Sequence, residues 1–331
     1  MTLRMTRMTY PVSVSVIMPT YNTDIEILKD SVESILSQTF RDFEFIIIDD
    51  GTTNGSDEYL KTLTDDRIRI ITNPQNIGIT KSLNIGLGEA RGKYIARMDA
   101  DDISLPERFE EQFNHMEAHP ETVMCGCWVE DFGQTSILRK THISDMDHYR
   151  IKMFFYYPGP AHPTMFIRRE TLSEYKIAYD ESLRYSQDYA LCVALAEHGV
   201  IRILPKVLLH RRIHQKRISS EHYRTQKQCS MMTQKRLLAE LLGDVTDEEV
   251  SLHYRYSYEK FFAGIADACR CFIWYLKLIR ANNKVGKYPR RKFIIFVCKL
   301  YILIAAQSLM PVGTSMIISI RNRIGLHKKG R

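Results

Sequence analysis

Carboxylates are the side chains through which this sequence could most directly do chemistry, and they gather at two places. Asp99 and Asp101 stand one residue apart directly after the apolar run Tyr94–Met98. Alternate residues of an extended segment share a face, so the two carboxylates point in one direction. Hard oxygens of this kind suit Mg²⁺ or Mn²⁺, held by one or two carboxylates together with the phosphates of a substrate. Surface carboxylates cluster by chance, and a lone D-x-D says little; its place at the end of an apolar strand gives this one weight. Asp49 and Asp50 close a second apolar run, Phe43–Ile48. Carboxylates at two strand ends are costly unless a cation or hydrogen-bond donors offset their repulsion.

The elements that must position these groups alternate. Val12–Met18 reads as a strand, Asp24–Gln38 as an amphipathic helix with Ile27, Leu28, Val32, Ile35 and Leu36 on one face, and Phe43–Ile48 as a strand covered on both sides. A short helix Asp57–Leu63, a strand Ile68–Ile71, a helix from about Thr80 to Ala90 and the strand Tyr94–Met98 follow. Such alternation predicts βαβ units in a mostly parallel sheet, which binds ligands beyond the carboxyl ends of its strands. Pro19 to Asn22, Asp49 to Thr52, Asn76 to Gly78 and Asp99 to Asp102 are the polar segments at those ends.

With 331 residues, 44% hydrophobic and 26% charged, the chain has room for one large α/β domain plus an appendage, and disordered or collagenous classes are excluded. No secretion signal is evident in the first residues, and the seven cysteines lack C-x-x-C spacing, as expected of reduced cytosolic thiols. The net charge of +7 hides an asymmetry. The first 267 residues carry 32 basic and 39 acidic side chains, whereas Ala268 to Arg331 holds 14 Lys and Arg and no Asp or Glu.

The segments Val14-Ser-Val-Ile-Met-Pro-Thr-Tyr-Asn22, Ile48-Asp-Asp-Gly-Thr52, Asn76-Ile-Gly78 and Ala96-Arg-Met-Asp-Ala-Asp-Asp102 together resemble the inverting glycosyltransferases of family 2, with the GT-A fold. Tyr185-Ser-Gln-Asp-Tyr189 and Arg212-Ile-His214 continue the resemblance, which covers about residues 12 to 220. Each motif alone is modest; six in order are specific. The resemblance implies a Rossmann-like, mostly parallel sheet flanked by helices. Residues 12–102 would form a nucleotide-binding half and 103–220 an acceptor half. A tail over 1–11 and a helical extension over 221–331 would flank them.

Roles follow from the same resemblance. Pro19, Thr20, Tyr21 and Asn22 would line the nucleotide base, with one of Asp49 or Asp50 accepting a hydrogen bond from it; Tyr21 has a plainer reading as a core-edge aromatic. Asn76 and Lys81 would close over base and diphosphate. Asp99, next to Ala100, would hold the ribose hydroxyls, and Asp101 would ligate the Mn²⁺ or Mg²⁺ that bridges the diphosphate. Asp102 could instead cap the following turn. Asp188 would be the catalytic base that takes the proton of an acceptor hydroxyl; the plainer reading is a helix cap. The chain departs from the family pattern at Gln187, where Glu is usual. His214 would add a metal or phosphate contact, Lys216 and Arg217 could close over the diphosphate as donors, and Gln187 and Arg212 would make acceptor or phosphate contacts. His162 would lie near the acceptor or simply shape its loop.

The basic tail lies outside this resemblance. Phe293–Leu309 is apolar except for Lys299, Gln307 and Ser308, too short and too interrupted for a span. Arg290 to Lys292 precede it, Pro311 ends it, Met316–Ile320 adds a second apolar stretch, and further Lys and Arg follow. Cations bordering an apolar face predict an interfacial segment at about 290–323 on an anionic membrane surface, at the cytoplasmic side. The alternative is an extra helical layer on the core. Nucleic acid is not expected, because the charges bracket an apolar run and do not line a groove with interleaved aromatics.

The expected function is metal-dependent inverting transfer of one sugar from a nucleotide-sugar, UDP-linked by preference, to a glycan or lipid-linked acceptor of a cell-surface polysaccharide. Two other classes compete. A non-catalytic membrane-bound scaffold would tolerate Gln187 but has no need of Asp99, Asp101 and Asp188. A nucleotidyltransferase would show a Gly-rich basic loop after the first strand, where Pro19-Thr-Tyr-Asn22 stands. A processive synthase would carry Q-x-x-R-W, which neither Trp128 nor Trp274 provides.

Overall fold

The computed structural model describes residues 10–134, 136–213, 223–260 and 262–309. His214, Lys216, Arg217 and the stretch Met316–Ile320 lie outside them. Two compact units are present. One runs to Met146 and resumes over Pro158–Ser230; the other takes Asp147–Tyr157 and the chain from Met231 onward.

The first unit begins with β1 (Val14–Thr20), α1 (Ile25–Leu36), β2 (Phe43–Asp49), α2 (Ser56–Lys61), β3 (Ile68–Thr72), α3 (Ile79–Glu89) and β4 (Tyr94–Arg97). The four strands lie in the order β3-β2-β1-β4, all parallel. Every residue of β2 is buried, which is why Phe43 and Phe45–Ile48 read as apolar, and the buried Glu44 among them is held by Ser15 Oγ and Arg69. α1 starts where the Asp24 carboxylate accepts the N–H groups of Glu26 (3.0 Å) and Ile27 (3.4 Å), satisfying donors that a helix start leaves open. α3 lies close on β1 because Gly86 has no side chain: a Cβ there would stand 2.4 Å from Cγ2 of Ile17.

Beyond β4 the sheet becomes mixed. After β5 (Ile103–Ser104) and α4 (Arg108–Ala118), β6 (Thr122–Gly133) and β7 (Ile137–Arg139) form an antiparallel pair. The chain returns through α5 (Met146–Phe155), a 3-10 turn at His162–Thr164, β8 (Phe166–Arg168), α6 (Arg169–Glu174) and α7 (Gln187–Ala196) to β9 (Val200–Ile213). β8 is antiparallel to both β4 and β6, β9 runs parallel to β6, and β5 antiparallel to β9. The run of adjacent parallel strands expected from the sequence thus ends at Arg97, and beyond it β6 and β9 are the parallel pair among the described residues. Asp131 on β6 is fully buried and is neutralised by Arg139 and Arg211.

The second unit is helical: part of α5, α8 (Tyr223–Leu242, which begins in the first unit), α9 (Asp247–Tyr254), a π turn at Arg255–Glu259, α10 (Ile265–Val285) and α11 (Arg290–Leu309). Its core gathers Phe154, Phe155, His253, Tyr275 and Phe293. The seven cysteines are free thiols, and burial pushes Cys127 up to about 12. Among the described residues no helix is long and apolar enough to cross a membrane.

Candidate active site

The carboxyl ends of β2, β1 and β4 lie side by side, with Thr20 opposite Asp49 and Ile17 opposite Arg97. Their loops are tied together. Asn22 adopts a left-handed conformation (φ 50°), its side-chain oxygen accepts the Thr53 N–H at 2.8 Å, and its own N–H donates to Thr52 Oγ1 at 3.3 Å. Tyr21 is left 47% exposed beside this clip, Pro19 is half-buried, and Thr20 is buried.

Asp49 and Asp50, indistinguishable by sequence, have different duties. Both are buried. Asp50 accepts from Asn73 Nδ2 (2.8 Å), Ile77 N (3.0 Å) and Gly78 N (2.9 Å), so its carboxylate joins the end of β2 to the start of α3. Asp49 accepts from Thr52 N at 3.0 Å through Oδ1. Gly51 allows this crossing: at φ +74°, a Cβ would stand 2.6 Å from the carbonyl carbon of Gln75. Asn76 and Lys81 are exposed at the rim.

Past β4, Asp99, Asp101 and Asp102 bring carboxylate oxygens within 4.8 Å of one another. Asp99 forms an ion pair with the buried Arg97, and its carbonyl accepts from Ser31 Oγ at 2.9 Å. Ala100 is buried between them. Asp102 is 1% exposed; its Oδ1 accepts the Arg212 N–H at 2.9 Å, while its Oδ2 is buried with no hydrogen-bond partner. Burial first, and the charges of Asp99 and Asp101 second, raise its pKa well above the usual carboxylate range. Among the described residues Arg97 is the cation paired with this cluster, and it meets Asp99. Arg212, expected at a phosphate or acceptor contact, is engaged by the protein: Nε donates to the Asp101 carbonyl (3.0 Å) and Nη2 to Asp30 (2.9 Å).

Asp188 sits in the first turn of α7, half-buried, with its Oδ1 accepting the Tyr189 N–H at 2.9 Å. Ser186 before it is left-handed (φ 56°), and Gln187 is buried. The approach to α7 is pinned to α3, where Thr80 Oγ1 donates to the Leu183 carbonyl at 2.8 Å and Asn84 holds the backbone of Tyr179. Tyr179 shares a 2.8 Å hydrogen bond with His162 Nε2. Burial, followed by the charge of Arg97, depresses the His162 pKa well below the ordinary value, so its ring is neutral. Burial raises the pKa of the Tyr179 hydroxyl, Arg97 opposes that rise, and Asp188 and Asp99 add to it in lesser measure.

Arg97, Asn84 and Tyr179 were missed by motif reading. The available signal was Arg97 itself, a cation inside an apolar parallel strand two residues before a carboxylate. Its Nε and Nη1 are buried without partners.

Comparison with known proteins assigns the family and the fold. Residues 15–175 match the model of glycosyl transferase family 2. An uncharacterized glycosyltransferase of Methanocaldococcus jannaschii is 38% identical over 206 residues, 60% of this chain and 70% of that protein. The amylovoran biosynthesis glycosyltransferase AmsE of Erwinia amylovora is 32% identical over 201 residues, 59% of this chain and 74% of the relative. Staphylococcus aureus TarS 1–349, solved in complex with UDP-GlcNAc, superposes with a TM-score of 0.61 at 17% identity over 88% of this chain and 86% of that one; a likeness at that identity shows the fold, which is GT-A. With a family model, two relatives and the strand-end geometry in agreement, the chain belongs to glycosyltransferase family 2 and is a glycosyltransferase.

Proposed function

We propose that the protein transfers one sugar, with inversion, from a nucleotide-sugar to a glycan or lipid-linked acceptor in the assembly of a cell-surface polysaccharide. The observation that carries this reading is the convergence of Asp99, Asp101 and Asp102 beyond β4, next to the loops after β1 and β2. A UDP-sugar is the favoured donor, supported by the UDP-GlcNAc complex of the structural neighbour; the role in a surface polysaccharide is supported by the relative named for amylovoran biosynthesis.

In this reading Tyr21 and the Asn22 clip receive the base, and Asp49 accepts its N–H while Asp50 holds the loop. Asp99 takes the ribose hydroxyls. A divalent cation, Mn²⁺ or Mg²⁺, fits the residues present. The donors are hard carboxylate oxygens, one of them is buried and unpartnered, and their mutual repulsion calls for a positive charge. Asp101 and Asp102 would hold it, and bound there it would neutralise charge on the diphosphate. Asp188 removes the proton of an acceptor hydroxyl as that oxygen bonds to the anomeric carbon. The bond from that carbon to the diphosphate oxygen breaks, and the nucleoside diphosphate leaves with the electron pair. The acidic body with its basic, partly apolar extension is read as a peripheral enzyme at the cytoplasmic face of the membrane.

Incubation of the purified chain with a panel of UDP-, GDP- and dTDP-sugars plus Mn²⁺ tests the proposal. Release of nucleoside diphosphate from one donor class, abolished by Asp188→Asn, is expected. Absence of release or binding with every donor in a folded sample would contradict it.

A further inference from the structure

We infer that α10 and α11 together form a membrane-docking face that seats on an anionic lipid surface, so that the apolar contact begins at Ile265, well before the basic run at Arg290. The proposal deepens the peripheral-membrane reading above and rests on it.

α10 is apolar on two sides. Cys271, Trp274, Tyr275 and Leu278 are buried in the second unit and use up one side. On the other side Ile265 (85% exposed), Cys269, Phe272 (50%) and Ile273 (67%) recur at i, i+4, i+7 and i+8. Single exposed apolar residues are ordinary on a soluble protein. A continuous stripe opposite an already satisfied core face is not, because the fold gains nothing from it.

α11 repeats the pattern. Phe293, Phe296, Val297 and Leu300 are buried, while Ile295, Cys298 and Ile302 (65% exposed) line its outer side. The stripes adjoin: the rings of Phe272 and Tyr301 lie 5.8 Å apart, and Tyr301 reaches the Ala268 carbonyl at 3.4 Å. One apolar surface therefore spans both helices.

Charge selects the occupant. From Ala268 onward the sequence holds 14 basic residues and no acidic one. Arg270, Arg280, Arg290, Arg291 and Lys299 are exposed on these two helices, and Arg290 and Arg291 border a shallow groove with Ile294 and Ile295. Apolar side chains flanked by cations match the boundary between acyl chains and anionic headgroups. An acidic protein would meet the charge but not the stripe.

Cys269 and Cys298, the two exposed thiols among the described residues, are native reporters, one on each helix. The full-length chain is labelled at each with NBD, using Cys298→Ser or Cys269→Ser to leave one site. It is then mixed with phosphatidylcholine vesicles with or without 30% phosphatidylglycerol, in the absence of donor. Expected are a blue shift and quenching by doxyl-labelled lipid at both sites, with anionic vesicles only. Phe272→Glu with Ile273→Glu should lower the vesicle-bound fraction at least tenfold, and Arg290→Glu with Arg291→Glu should remove its salt dependence. Both pairs are exposed, and circular dichroism confirms the fold. Aqueous emission at both labels with no co-sedimentation would overturn the proposal. So would apolar emission before vesicles are added, which would mean that residues 310–331 or a second copy cover the face; sedimentation velocity separates those two. Donor turnover in the same samples is read separately, so loss of docking with intact turnover refutes the surface and leaves the transferase reading in place.

Discussion

The side-chain amide of Asn84 on α3 grips the backbone of Tyr179 at both ends, accepting its N–H at 2.9 Å and donating to its carbonyl at 2.9 Å. α3 is the helix whose start is held by Asp50, and Tyr179 opens the segment that leads to Asp188. One helix thus joins the loop held by Asp50 to the segment that carries Asp188, the proposed base. Asn84→Ala leaves both backbone groups of Tyr179 to find other partners, a loss of about 1–3 kcal/mol. A lower unfolding midpoint and a kcat reduced more than nucleotide affinity are expected, read by calorimetry and steady-state kinetics. An unchanged kcat would show that the link carries no catalytic consequence.

Asp49 and Asp50 give a paired prediction. Asp50→Asn removes charge from a carboxylate that accepts three N–H groups, and its new NH₂ faces donors. It should cost about 1–3 kcal/mol of stability. Asp49→Asn can keep the oxygen that accepts from Thr52, so it should cost less stability than Asp50→Asn while weakening nucleotide binding. Chemical denaturation and nucleotide titration on both variants decide the matter, and equal effects would erase the distinction.

Asp102→Asn fixes the neutral form that burial and the charges of Asp99 and Asp101 already favour, while the oxygen that accepts from Arg212 can remain. Without metal, the variant should unfold at the same temperature as wild type or higher. With Mn²⁺ and UDP, the rise in unfolding temperature seen for wild type should shrink markedly. A full rise in the variant would exclude Asp102 from the cation site.

Asp188→Asn keeps size and helix position but cannot take a proton. A fall in kcat of about 10²- to 10⁴-fold with nucleotide affinity unchanged is expected. Full activity would sink the assignment.

His253 makes a pH prediction for the helical unit. Its Nε2 meets the Phe154 carbonyl at 2.9 Å and its Nδ1 accepts from Trp274 at 3.3 Å, so the neutral ring is fully used. Burial lowers its pKa from 6.5 to about 4. Because the folded value is the lower one, the unfolded chain binds the extra proton. The stability contribution is present above about pH 6.5 and is lost as pH falls toward 4, about 3 kcal/mol in all. His253→Phe should flatten that part of the stability profile; identical profiles would refute the assignment.

Residues up to Arg97 were legible because the buried parallel strands β1 and β2 are mostly apolar, and helix starts such as Asp24 announce themselves. The long strands β6 and β9 were not, because Glu130, Asp131 and His210 to Arg212 interrupt their apolar pattern; the compensation of Asp131 by Arg139 and Arg211 is long-range and invisible in sequence. The acidic turn was legible by spacing. The burial of Arg97, the donors that saturate Asp50 and the Asn84–Tyr179 link all depend on which loops meet, which local patterns do not encode. The stripe on α10 escaped because its residues are spread among core positions of the same helix.

Calorimetric titration of the purified protein with UDP, GDP and dTDP, with and without Mn²⁺, decides whether the strand-end carboxylates hold a nucleotide through a metal. Tight binding of one nucleotide that disappears without Mn²⁺ and in Asp101→Ala is expected. Binding of no nucleotide by a folded sample, or binding indifferent to both metal and Asp101, would contradict it.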